Sequence, residues 1–174
     1  MKKIFVGILV VLIILLFFWL QINVFNYFSL FGIIPNIGIV LVVIISLCAG
    51  KNIGAVVGFV YGLLFDCCFE TSIGIYTALF CLVGYFVGIV KGKIALDNKN
   101  SLFIMVVVAT VFIELAGLLV LKLKHQVFNV SGLYVLKVIS LETIYNVFLA
   151  FLLYKPLMAL GDIINRSRRA YYEL

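Results

Sequence analysis

Six nearly unbroken apolar segments, separated by short polar stretches, make up almost all of this 174-residue chain. A helix of about 20 apolar residues crosses a hydrocarbon layer about 30 Å thick, because each residue adds about 1.5 Å. The chain is 66% hydrophobic and 11% charged, which is more apolar surface than one soluble core of this size can bury. Lipid is therefore the expected surroundings of most of the protein.

These segments predict an all-α integral membrane protein that consists of a single domain, residues 1–174, with six transmembrane helices. The predicted spans are residues 4–24, 33–49, 53–69, 73–90, 102–121 and 133–154, and a basic tail follows at 155–174. The first segment is too long for a secretory signal and lacks a small-residue cleavage site, so we expect it to remain as a helix.

The distribution of basic residues predicts the orientation of the spans. With the N-terminus inside, most lysines and arginines fall on the inner side, which places both termini in the cytoplasm by the positive-inside rule. This inner set is Lys2, Lys3, Lys51, Lys91, Lys93, Lys99, Lys155, Arg166, Arg168 and Arg169, and the outer set is Lys122, Lys124 and Lys137. Topology and contact with anionic membrane lipids account for the net charge of +6, so we expect no nucleic-acid partner. A cytoplasmic protein that binds the tail is the alternative.

Residues that carry chemistry are few. The four cysteines fall in membrane segments without a second ligand at metal-binding spacing, and the single histidine, His125, lies in a predicted outer loop. No nucleophile and base stand together, and no phosphate-binding loop follows a strand. We therefore expect no catalytic residue, no metal and no cofactor, and we expect that the protein is not an enzyme.

Glycines recur every four residues in two neighbouring spans. They are Gly54, Gly58 and Gly62 in the third span and Gly84 and Gly88 in the fourth. This spacing places each set on one helix face, where two backbones can approach closely. The pattern predicts a tight hairpin of spans three and four. The alternative is that the glycines face lipid.

Three carboxylates are predicted to lie in the outer third of the membrane: Asp66, Glu114 and Glu142. Asn146 follows Glu142 by four residues and shares its helix face. A carboxylate at this depth is costly unless it faces a cavity, a cation or a hydrogen-bond partner. We therefore predict a polar pocket that opens outwards and binds a partner. The alternative is that each acid is satisfied separately between helices.

Several of these residues together resemble the family of the rod shape-determining protein MreD. That family has a proline near the start of its second span and a glycine-spaced third span that ends in G-L-x-x-D, followed by a further glycine. The matching residues here are Pro35, the segment Gly62-Leu63-Leu64-Phe65-Asp66, and Gly74, with Tyr145 and Asn146 ahead of Pro156 in the last span.

The resemblance implies a non-enzymatic, multi-pass scaffold of the cell-elongation machinery in the bacterial cytoplasmic membrane, which supports peptidoglycan synthesis and cell shape. MreC is the implied main partner, with RodA, an elongation-specific penicillin-binding protein and MreB as members of the complex. The family also resembles the S-components of energy-coupling-factor transporters, so a similar helical bundle is expected. A vitamin-binding subunit of such a transporter is the alternative function. In either case Pro35 is expected in the first turn of the second span, where proline is tolerated.

Overall fold

The computed structural model describes residues 2–29, 32–69, 74–91, 99–123 and 131–172. These residues form six α-helices and one short 3-10 helix, Phe25–Phe28, and no β-strand is present among them. The α-helices are α1 (Lys2–Asn23), α2 (Ile37–Ala49), α3 (Lys51–Phe69), α4 (Ile75–Ile89), α5 (Lys99–Leu123) and α6 (Gly132–Tyr172). Each predicted span overlaps one of these helices, which confirms the all-α prediction for the described residues. Lys93, Lys124 and His125 lie outside them.

Four of the six helices, α1, α3, α5 and α6, are long and apolar enough to cross a membrane. The other two are shorter, with 13 residues in α2 and 15 in α4. A shorter helix needs neighbours that bury its ends, because hydrocarbon cannot satisfy the backbone groups there. The packing of α2 and α4 therefore decides how the bundle is built.

The centre of the bundle is α2, which contacts all five other α-helices. Every one of its residues from Ile37 to Ala49 is buried. A helix that is apolar around its whole circumference is stable only where protein or lipid surrounds it on all sides. Here the surroundings are protein, so the other helices enclose α2.

Helices that follow one another along the chain run in opposite directions. Lys51 at the start of α3, for example, packs on Gly88 at the end of α4. Near the two ends of the chain, Val6 of α1 and Ile164 of α6 line one cavity. The first turns of α1 and the later turns of α6 consequently lie at the same end of the bundle.

The second span begins later than predicted. Its helix starts at Ile37 rather than at residue 33, so Pro35 precedes the helix instead of standing in its first turn. Proline disfavours helical geometry in the residue before it. Asn36 is also non-helical, with φ −103° and ψ 89°. The segment that precedes α2 is therefore not helical. Side chains from other helices form the hydrogen bonds with its backbone groups that a preceding helical turn would have formed.

The last helix continues well beyond the predicted span. Residues 155–172, which were expected to form a tail, extend α6 without a break through Pro156. Leu157, Leu160 and Ile164 in this extension are buried. Their packing maintains the helix even though Pro156 removes one of its backbone hydrogen bonds.

Candidate functional site

Asp66, near the end of α3, binds the start of α4. Its carboxylate accepts hydrogen bonds from the backbone N–H groups of Gly74, Tyr76 and Thr77 at 2.8, 3.0 and 2.9 Å. The Thr77 hydroxyl donates a fourth, at 2.6 Å. The N-cap of α4 is Gly74, at φ +114°, which has no side chain to bond these amides. Asp66 thus supplies both the missing cap and a negative charge at the positive end of the α4 dipole.

The predicted glycines lie where α3 and α4 meet. A Cβ atom added at Gly58 would lie 2.6 Å from the Phe80 carbonyl carbon, and one at Gly62 would lie 2.6 Å from the Thr77 Cα. The same close approach to the partner helix occurs at all five positions, Gly54, Gly58, Gly62, Gly84 and Gly88. These separations are shorter than van der Waals contact, so larger residues would force the two helices apart.

A second polar group lies around the start of α2. Asn146 of α6 is fully buried, and its Oδ1 accepts a hydrogen bond from the Asn36 backbone N–H at 2.8 Å. Its Nδ2 donates to the Thr110 hydroxyl of α5 at 3.0 Å. The Thr110 hydroxyl in turn donates to the Val106 carbonyl oxygen one turn earlier. One amide side chain therefore connects α2, α5 and α6.

Gln21 of α1 completes this arrangement from the other side. Its Oε1 accepts a hydrogen bond from the Ile37 N–H at 2.9 Å, and its Nε2 donates to the Pro35 carbonyl oxygen at 3.0 Å. The side chain of Asn36, the N-cap of α2, makes no capping hydrogen bond. The first amides of α2 are instead satisfied by Gln21 and Asn146, which come from the two helices that flank it.

Glu114 lies one turn after Thr110 on α5, and Glu142 lies one turn before Asn146 on α6, so the two glutamates face each other. Their carboxyl groups are hydrogen-bonded to each other, and Glu142 also bonds Asn146. Glu142 is buried and Glu114 is partly buried. Glu114, Glu142, Asn146, Thr110, Asn36 and Gln21 are called the outer polar network below.

The structure brings together three of the four residues that were predicted to share one pocket. Glu114, Glu142 and Asn146 belong to the outer polar network, whereas the hydrogen bonds of Asp66 go to the start of α4. Tyr76 lies between the two groups. Its backbone N–H donates a hydrogen bond to Asp66 on α3. Its hydroxyl oxygen points to α5, where it would lie 2.8 Å from a Cβ atom added at Gly117. The hydrogen bonds therefore form two groups, and the binding of a partner by a shared pocket stays a prediction.

An apolar groove of about 390 Å³ opens beside the outer polar network. It lies between the 3-10 helix and α6, and we call it the α6 groove. Its lining residues are Val24, Phe25, Pro35, Tyr145, Phe148, Leu149 and Leu152. Two of them directly neighbour members of the network, since Pro35 precedes Asn36 and Tyr145 precedes Asn146. The network therefore lies directly behind the apolar surface of the α6 groove.

Sequence reasoning missed this groove and half of the polar network. Gln21, Asn36 and Thr110 carry no charge, so nothing marked them as costly in a membrane. The groove residues are apolar like most of the chain. Only their arrangement around the non-helical segment before α2 distinguishes them, and that segment was predicted as helix. Pro35 was the available signal, because proline is one of the residues that most often interrupt regular secondary structure.

The described residues contain no group of three His, Cys, Asp or Glu side chains that could hold a metal ion. Chemically, the arrangement bonds backbone groups at the start of α2. Its direct effect in this structure is to position α2, α5 and α6.

Comparison with protein-family models matches residues 1–163 to the family described as rod shape-determining protein MreD. No curated protein and no solved structure matches the chain. The match covers all six helices apart from the last turns of α6, and it includes both polar sites and the α6 groove.

Proposed function

Because this chain belongs to the MreD family of rod shape-determining proteins, we propose that it is a non-enzymatic scaffold of the cell-elongation complex that binds MreC. The family match is the observation that carries this proposal, and it supports a role in rod-shape determination. RodA, an elongation-specific penicillin-binding protein and MreB are proposed as further members of the complex. The match lends no support to the alternative of a vitamin-transporter subunit.

We propose that the six helices cross the cytoplasmic membrane with both termini inside. The antiparallel order of the helices supports this topology, since it puts the first turns of α1 and the later turns of α6 at one end. Lys51 and Lys91 lie at that same end. An excess of lysine and arginine marks the cytoplasmic side of membrane proteins.

This topology gives the short central helix a particular depth. The 13 residues of α2 measure about 20 Å, whereas the hydrocarbon layer is about 30 Å thick. With the Ala49 end at the inner boundary, α2 begins about 10 Å below the outer boundary. The outer polar network therefore lies in the outer leaflet, and the α6 groove extends from there to about the middle of the hydrocarbon layer.

The α6 groove is the proposed contact for MreC. MreC relatives cross the membrane once, so the partner offers one apolar helix that continues into a periplasmic segment. An apolar groove at the membrane surface fits the side chains of such a helix, because close packing drives helix association in lipid. Asn146 is fully buried and cannot touch a partner, so the polar network acts by holding the walls of the groove.

Site-specific photo-crosslinking in native membranes tests this proposal. A photoreactive residue at Phe148, which lines the groove and is 64% exposed, should capture MreC. The same residue at Phe59 on α3, which is 49% exposed and outside the groove, is the matched control and should capture far less. Equal capture at the two positions would reject the groove as the contact.

A further inference from the structure

A second cavity, of about 400 Å³, lies at the opposite end of the bundle from the α6 groove. It is formed where α2 turns into α3 and where α4 ends. Its lining residues are Ala49, Gly50, Lys51, Asn52, Gly88, Ile89 and Lys91. Both polar and apolar groups are present in the lining, in contrast to the apolar α6 groove.

Two lysines give this cavity its charge. The Lys51 ammonium lies 6.0 Å from the centre of the Tyr85 ring, at the exposed side of the cavity. The Lys91 ammonium lies over the turn, 4.0 Å from the position of a Cβ atom added at Gly50. None of the lining residues that the structure describes is acidic. Among those described residues, the cavity therefore has two positive charges and no negative charge.

Three helix ends meet at this cavity. The positive end of the α3 dipole points toward it, and no acidic residue stands in the first turn of α3. The negative ends of the α2 and α4 dipoles lie at the same cavity, since Ala49 and Ile89 end those helices. The positive charge of the cavity therefore comes from Lys51 and Lys91 rather than from the backbone.

The surroundings of the cavity are those of a membrane boundary. Lys51 and Tyr85 pair at the rim, and lysine and tyrosine are both enriched where helices leave the hydrocarbon layer. Ile89 at the rim and Phe86 one turn deeper are exposed, so apolar surface continues from the cavity toward the membrane interior. This combination suits a ligand that has an anionic head and apolar chains.

We propose that this cavity binds the phosphate group of an anionic phospholipid. Lys51 and Lys91 supply the two positive charges, Asn52 can donate further hydrogen bonds, and the exposed faces of Phe86 and Ile89 contact the acyl chains. Basic pockets between transmembrane helices are known to hold such head groups. The proposal rests on the proposed topology only where it assigns the bound lipid to the inner leaflet.

Native mass spectrometry of the full chain, purified in detergent, tests the proposal. The probes are phosphatidylglycerol, which is anionic, and phosphatidylcholine, which is zwitterionic. The wild-type protein should retain at least one phosphatidylglycerol under activation that removes phosphatidylcholine. Equal retention of the two lipids would overturn the proposal, and this comparison needs no variant.

A pair of matched double variants locates the site. Lys51→Gln with Lys91→Gln should lower phosphatidylglycerol retention at least about tenfold, because both charges are removed. Lys122→Gln with Lys137→Gln removes two exposed lysines from the other end of the bundle and should leave retention unchanged. Lys51→Arg with Lys91→Arg keeps the charges and should retain the lipid. Equal loss in both glutamine variants would contradict the assignment to this cavity.

Inorganic phosphate distinguishes a lipid site from a site for free phosphate. Excess phosphate should leave the lipid bound, because the acyl chains contribute contacts that phosphate lacks. Displacement of the lipid by phosphate would contradict the lipid assignment. Lipid retention in detergent does not depend on orientation or on MreC, so its failure is distinguishable from a failure of the proposed topology or of partner binding.

Discussion

Asp66, Gln21 and Asn146 perform the same task at two helix starts. The first amides of a helix have no partner within the helix, and hydrocarbon offers no water to replace one. The N-caps of α2 and α4 are Asn36 and Gly74, and neither makes a side-chain capping bond. Side chains from other helices provide the caps, so each cap also fixes how two helices pack.

Replacing Asp66 with alanine should destabilise the protein by about 1–3 kcal/mol, because the first amides of α4 lose their acceptors. Thermal unfolding in detergent measures the effect as a lower midpoint. Cys67→Ala changes the exposed neighbour on the same turn and should leave the midpoint unchanged. If the two variants unfold at the same temperature, Asp66 does not act as the cap.

Asn146→Leu keeps the side-chain volume but removes the hydrogen bonds to Asn36, Thr110 and Glu142. We expect a loss of about 1–3 kcal/mol in the free energy of unfolding, since a buried backbone N–H is left unpaired. Titration with a denaturing detergent measures this loss. Ser140→Ala, at an exposed position on the same helix, is the control and should differ little from the wild type. A wild-type value for Asn146→Leu would show that the network does not hold the start of α2.

At the scale of elements, the α3 and α4 hairpin follows directly from its glycines. Their spacing places them on one face, and the structure has that face against the partner helix at each position. No such pattern exists for α2, which is apolar on all sides and gives no preferred face. Its burial depends on the five helices around it rather than on its own sequence.

Gly58→Ala tests the close approach of the hairpin. The added methyl group would overlap the Phe80 carbonyl, so we expect a destabilisation of about 1–3 kcal/mol. Gly7→Ala is the matched control, because no atom lies within 4 Å of the position of its Cβ atom. There the higher helix propensity of alanine should leave stability unchanged or raise it slightly. The same detergent titration compares the two variants, and equal stabilities would contradict the close contact.

The sequence was sufficient to predict six helices and the charged members of the polar sites. The length and hydropathy of a segment, and the cost of placing a charged side chain in hydrocarbon, can each be judged from that segment alone. It was insufficient for the start of α2 and for the end of α6. Both depend on tertiary contacts: Gln21 and Asn146 replace a helical turn before Ile37, and buried Leu157 and Leu160 keep α6 helical beyond Pro156. The hydrogen bonds of Asp66 to the start of α4 also required the structure, because the sequence does not show which backbone amides lie beside that carboxylate.

The whole molecule combines a buried central helix, a polar network at the start of that helix and an open groove beside the network. The basic cavity lies at the other end of the bundle. Each feature lies at a definite depth only if the bundle crosses the membrane six times. Topology is therefore the first property of the whole molecule to test.

Single cysteines at Ser131 and Asn52, both exposed, report the two ends of the bundle. The background replaces Cys67, Cys68 and Cys81 with alanine and keeps the buried Cys48. A membrane-impermeant maleimide should label Ser131→Cys in intact cells and Asn52→Cys only after permeabilisation. The reverse pattern would invert the proposed orientation, and labelling of both in intact cells would exclude the six-span arrangement.

The affinity of the purified protein for MreC, measured in lipid nanodiscs, shows whether the α6 groove receives MreC. Leu152→Trp fills the α6 groove, so it should weaken binding at least about tenfold. Leu63→Trp makes the same change at an exposed position on α3 and should bind like the wild type. Unchanged affinity of the Leu152→Trp variant, with wild-type stability, would contradict the proposal that the α6 groove receives MreC.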